Sequence, residues 1–179
     1  ALLTDNPASV PQWEVVSGGK PQHPLPNDVC KQEQVPDSVA GSVSAKGSGV
    51  AVTVQAYGAG QAAAQFDNYV KRWSKCLKEF EQKPGVSDAT VYTFTNGFVM
   101  VSGDAILGAT ASDSGMRDKL LSYYQTKVPE TLRSTQCLSL TSTSADSLRN
   151  LFYHPNDYTG LKKSESIKTQ VDTSNQATP

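Results

Sequence analysis

Three cysteines, two histidines and a scatter of aspartates are the side chains whose types invite chemistry. Cys30, Cys76 and Cys137 are widely separated, and no CxxC pair occurs. That spacing excludes zinc ribbons and thioredoxin-like redox sites. His23 and His154 each precede a proline, Pro24 and Pro155, and read as solvated or capping loop residues. A metal site would need one of them plus carboxylates from elsewhere, and no spacing supplies such a set, so no metal is expected. A thiol nucleophile would need a histidine base beside it in the fold. Asp104, Asp113 and Asp118 are the carboxylates that could pair for acid–base work. Asp113 and Asp118 are accounted for more simply, as a helix cap and a first-turn acid near the positive end of a helix.

Motifs for cofactors are missing. Gly58-Ala59-Gly60 precedes a helical pattern, but Ala63 stands where a third glycine belongs, and no parallel βαβ unit follows. There is no P-loop, GxSxG or SxxK motif. The expectation is a chain without cofactor and without catalysis.

Composition narrows the class further. The 179 residues are 37% hydrophobic and 18% charged, with a formal net charge of −1. Twenty serines and fifteen threonines make the surface polar through hydroxyls rather than charges, which fits an extracytoplasmic protein. Near-neutral charge argues against a general nucleic-acid binder and against polybasic docking on anionic lipid, and no apolar run approaches the roughly 20 residues needed to span a bilayer. Three separated cysteines in such a chain suggest one disulfide and one odd thiol, against the alternative of three buried free thiols. The first residue is Ala1 rather than Met, which leaves room for a targeting or anchoring segment upstream.

The elements that must position these residues follow from periodicity. Residues 1–49 carry six of the ten prolines before residue 37 and read as an irregular extension. Within it, 13–16 is a possible edge strand, 36–40 a short helix and 41–49 a loop. Val50 to Tyr57 alternates as a strand, with Val50, Val52 and Val54 on the buried face. Ala62, Phe66, Tyr69, Val70, Trp73, Cys76, Leu77 and Phe80 recur at helical spacing, predicting a helix over 59–81. Its apolar stripe should pack on Val50, Val52 and Val54, with Cys76 pointing at the core. Residues 89–95 and 98–102 read as a hairpin turning at Asn96-Gly97, a type I′ signal, with a continuation through 105–107 past a bulge at Gly103. A shorter helix over 114–127, a restart at Pro129 and a strand over 136–143 complete a core domain, 50–143.

Residues 144–179 form a third unit. Leu151, Phe152, Tyr153 and Tyr158 place four large side chains in eight residues, just before a polar tail. Aromatic anchors of this kind suit a partner interface, and 166–171 could add a strand to an exposed sheet edge. The competing expectation is that the four cover the domain's own sheet.

One stretch carries a resemblance. Val52 to Cys76 runs from a strand through a turn of small residues to a helix closed by Trp73-Ser74-Lys75-Cys76. It resembles the extracellular sensor-type domain of actinobacterial serine/threonine kinases and related lipoproteins. The resemblance implies a secreted, disulfide-bonded antiparallel sheet with helices around a cleft. It also implies the pairing Cys30–Cys76, with Cys76–Cys137 as runner-up.

The expected fold is therefore α+β: an antiparallel sheet packed against one long and one shorter helix, with irregular N- and C-terminal extensions. The expected role is a non-catalytic extracytoplasmic domain of a bacterial cell-envelope protein. It would be tethered to the membrane through a segment outside this chain and would serve as an accessory or docking subunit of a larger complex of envelope or membrane proteins. The alternative is a ligand-binding sensor domain with a cleft, and an enzyme of unrecognised class comes third.

Overall fold

Period-two alternation builds more of the molecule than the valine-rich stretches alone advertise. A computed structural model describes residues 2–16, 19–31, 34–84 and 88–139, with side chains as far as 132. The elements run β1 (Glu14–Val16), β2 (Val39–Gly47), β3 (Val50–Tyr57), α1 (Ala62–Cys76), β4 (Glu81–Lys83), β5 (Thr90–Phe94), β6 (Gly97–Ser102), β7 (Ala105–Ala111) and α2 (Ser114–Ser139). The seven strands form one sheet in the order β1-β2-β3-β7-β6-β5-β4. Every neighbouring pair is antiparallel. The α+β architecture read from the sequence is present.

Both faces of the sheet are covered. On one, α2 and residues 2–10 bury Leu2, Leu3, Val10, Leu120, Leu121 and Tyr124 against Val50, Val52, Val54, Phe98, Met100 and Leu107. On the other, α1 and a strap around Leu25 and Cys30 bury Phe66, Tyr69 and Trp73 against Tyr57, Phe94, Val99, Val101 and Ile106. The helix over 62–76 was expected on Val50, Val52 and Val54, but those valines belong to α2. In β3 the two faces alternate, and the apparently polar one, with Gln55 and Tyr57, is the one α1 covers.

The N-terminal extension is part of this body. Instead of a helix at 36–40 and a loop at 41–49, residues 39–47 are a strand hairpinned to β3, and the boundary drawn at 49 falls at the hairpin's turn. Gly41, Ser42, Ser44 and Ala45 are too small to display the alternation, yet Val43 and Ala45 point inward and Ser42 and Ser44 outward. A β-bulge between Val39 and Gly41 shifts the register and places Val39 with the α1-side core while Val43 and Ala45 lie on the α2 side.

Three further boundaries differ from expectation. α1 ends at Cys76, where the Leu77 N–H donates to Trp73 O at 2.8 Å and the chain turns extended. Phe80 mimics the helical period but reaches the core from extended chain, stacked on Tyr92 at 4.9 Å. The β5–β6 turn is Thr95-Asn96, without positive φ at either residue, and Gly97 is already strand. A Cβ at Gly97 would strike Ala109 O and the Phe94 ring, so close packing and not turn conformation requires glycine there. Gly103 is not a bulge either: with φ 51° it opens a two-residue hairpin with Asp104 between β6 and β7.

The longer helix is α2, at 26 residues, against 15 for α1. It runs through Pro129, where a restart was expected, and through 136–139, where a strand was expected. The alternation of Leu138 and Leu140 is too short to outweigh a continuous helical stripe of Leu120, Leu121, Tyr124, Val128 and Leu132.

Candidate functional site

Helix α1 ends in a covalent anchor. Cys30 and Cys76 form a disulfide with Cα atoms 6.2 Å apart. Cys30 is buried and Cys76 exposed, so the bond spans from the core rim to the surface rather than lying on the core-facing stripe. The runner-up pairing with Cys137 fails, because Cys76 is taken and α2 lies across the sheet from α1. The crosslink ties the strap 21–30 to the helix.

Beneath that strap lies a buried polar cluster. Gln55 is fully buried on β3. Its Nε2 donates to Gln22 O at 2.9 Å and to the Tyr69 hydroxyl at 3.2 Å. Its Oε1 accepts from the Tyr57 hydroxyl at 2.6 Å. His23 meets the Tyr69 ring edge-on, with centroids 6.3 Å apart. Tyr69 in turn stacks on Trp73 at 4.8 Å. His23 is thus a buried strap residue and not the solvated loop residue expected. A Cβ at Gly108 would strike the Pro24 backbone, so this glycine lets the strap press onto β7.

Burial pushes the phenols of Tyr57 and Tyr69 up from their ordinary range; for Tyr57 the neighbouring Tyr69 adds to the effect. Neutral phenols bonded to an amide hold a core together but supply neither base nor nucleophile near neutral pH. The sequence signal for this cluster was the Thr53-Gln55-Tyr57 face of an otherwise apolar strand. It reads as solvent-facing unless the sheet is covered on both sides.

The candidate acids stand apart. Asp113 Oδ1 accepts from Met116 N at 2.8 Å, capping α2 as expected. Asp118 pairs with its neighbour Arg117 at 2.9 Å. Asp104 lies at the other end of β7, where Oδ1 accepts from Gly60 N at 2.9 Å and fixes the turn before α1. A seven-residue strand separates it from Asp113, roughly 20 Å of chain. No acid–base pair forms from these three. Among the described residues no group of three or more His, Cys, Asp or Glu is placed to hold a metal. Nor is any helix there long and apolar enough to cross a membrane.

A shallow, open depression of about 430 Å³ lies between the N-terminal segment and α2, lined by Pro7, Ala8, Asp118, Lys119 and Ser122. Elsewhere on α2, burial raises the Tyr124 phenol, and its hydroxyl has no hydrogen-bond partner among the described residues. The anchors Leu151, Phe152, Tyr153 and Tyr158, together with His154 and 166–171, lie outside the described residues.

The chain matches no protein-family model, no curated protein and no solved structure.

Proposed function

We propose that this chain is a non-catalytic extracytoplasmic domain of a bacterial cell-envelope protein, tethered to the membrane through a segment outside this chain. In this reading it works as an accessory or docking subunit of a larger envelope complex and engages its partner through Leu151, Phe152, Tyr153 and Tyr158. The observation that carries the reading is that both faces of the sheet are already covered within residues 2–132. Among the described residues Val16 is the one exposed large apolar side chain. The four anchors therefore have no open sheet face of their own to fill, and a second protein is the natural place to bury them.

The Cys30–Cys76 bond supports the compartment, because disulfides persist in oxidising surroundings and are rare in a reducing cytosol. The resemblance of residues 52–76 to secreted sensor-type domains points the same way. A sensor would need an enclosed pocket with a few convergent polar groups. Under the strap Gln55, Tyr57 and Tyr69 bond one another, and the depression beside α2 is shallow.

The test is co-purification from bacterial envelope membranes using the full chain and a variant with Leu151, Phe152, Tyr153 and Tyr158 all changed to Ser. The reading expects a defined partner retained by the first and lost by the second, with equal melting. Equal retention by both would contradict it.

A further inference from the structure

The outward face of α1 concentrates positive charge in a chain that is otherwise acidic. Lys71, Arg72, Lys75 and Lys78 fall in the eleven residues 68–78, with no carboxylate among them, so the remainder of the chain carries a net −5. The inward face of the helix is Ala62, Phe66, Tyr69 and Trp73. Lys71 and Lys75, one turn apart, lie opposite it, and both are exposed, as is Lys78 just beyond the helix end. Lys83 adds an exposed cation on β4, the edge strand beyond β5.

Carboxylates stand nearby but do not pair with its lysines. Asp67 is one turn before Lys71, yet among the described residues no ion pair forms at Lys71, Lys75, Lys78 or Lys83, whereas Lys46 pairs with Glu14 and Lys127 with Glu130. Glu79 turns toward the Thr95 hydroxyl, and Glu81 is exposed on β4. Beside the cations, Leu77 and the stacked rings of Phe80 and Tyr92 are half-buried at the rim of the core.

We propose that this face of α1 is a docking surface for an anionic phospholipid bilayer, which orients the domain on the membrane it is tethered to. The inference rests on the extracytoplasmic, membrane-tethered reading above and adds a surface to it. Lys71 and Lys75 sit on long flexible stems along the outward helix face, and among the described residues no hydrogen bond holds the ammonium group of Lys71, Lys75, Lys78 or Lys83. That suits a broad charged plane better than a single built anion site. Amphipathic rings at the rim, Tyr92 above all, are the side chains that settle at the headgroup level of a bilayer. Clusters of four or more Lys and Arg bind anionic lipid, each contributing about fivefold in partitioning, and the attraction fades within a Debye length as salt rises.

Vesicle sedimentation with the purified full chain tests this. Binding is expected to phosphatidylglycerol-containing vesicles at low salt, to be lost at high salt, and to be absent with pure phosphatidylcholine. Lys71→Gln with Lys75→Gln should weaken it about 25-fold, by two cations at about fivefold each. Lys20→Gln with Lys119→Gln makes the same change in net charge at two other exposed sites and should alter binding by less than about twofold. Equal loss in both double variants, equal binding to both lipids, or no vesicle binding at low salt would each overturn the proposal. So would retention on immobilised polyglutamate without vesicle binding, which would assign the face to an acidic protein. Only lipid and the purified chain are present, so failure here leaves the Leu151–Tyr158 docking test intact, and failure there leaves this one intact.

Discussion

The two faces of the sheet solve burial differently. On the α2 side the core is nearly all hydrocarbon: Leu2, Leu3, Val52, Val54, Phe98, Met100, Leu107, Leu120 and Leu121. On the α1 side the core is aromatic and partly polar, with Gln55, Tyr57, Tyr69 and Trp73 beneath a strap held by a disulfide. A hydrocarbon core gains from area and tolerates small errors of shape. A hydrogen-bonded amide in a core is less forgiving, since removing one partner leaves the other buried and unpaired. The α1 side should therefore be the more specifically ordered half, and the more sensitive one.

The largest effect should come from Trp73→Ala. Trp73 is fully buried and stacked on Tyr69, so truncation should cost about 3–5 kcal/mol in urea unfolding. A melting temperature within a degree or two of wild type would mean that this side is far more plastic than its packing implies. Replacing Cys30 and Cys76 together by Ser releases a loop of 46 residues and should cost about 4 kcal/mol by loop entropy. Hydrogen exchange in that variant should rise first in the strap 21–30, while β6 and β7 stay protected; uniform loss of protection would erase the asymmetry between the faces.

A sharper comparison removes one hydroxyl from each side. Tyr57→Phe leaves Gln55 Oε1 without its 2.6 Å donor and should cost about 1–3 kcal/mol. Tyr124→Phe removes a buried hydroxyl with no partner among the described residues and should change stability by no more than about 0.5 kcal/mol, as measured by the same urea midpoint.

Alkali probes the same phenols by titration. Burial raises the phenols of Tyr57, Tyr69 and Tyr124, so the folded chain keeps protons that the unfolded chain gives up near its ordinary pKa of about 10. The phenols' contribution to stability should be constant below about pH 10 and fall above it by about 1.4 kcal/mol per pH unit for each such phenol. Tyr57→Phe should reduce that slope. An unchanged slope would mean that Tyr57 ionises as freely folded as unfolded.

Much of this fold was legible in the sequence. The 50–57 strand, the helix read over 59–81 and found at 62–76, and the 89–102 hairpin all declare themselves, because large side chains mark their period. What stayed hidden did so for physical reasons. Strand 39–47 is built from Gly, Ser and Ala, whose alternation leaves little hydropathy contrast. Pro129 reads as a break, yet α2 continues through it, since flanking Tyr124, Val128 and Leu132 hold the helix to the sheet. The Gln55 cluster was invisible because a strand's second face looks solvated until the element that covers it is placed. The pairing of Cys30 with Cys76 came from resemblance; spacing alone left it open.

The central proposal is that the sheet, covered on both faces within residues 2–132, leaves Leu151, Phe152, Tyr153 and Tyr158 for a partner. Truncation after Ser144, followed by thermal melting against the full chain, tests it most directly. The account predicts a melting temperature within about 2 °C of the full chain, a difference well under 1 kcal/mol for a domain this size, and no new binding of a hydrophobic dye. A fall of 10 °C or more, corresponding to roughly 3 kcal/mol, with new dye binding, would place those side chains in the domain's own core and contradict it.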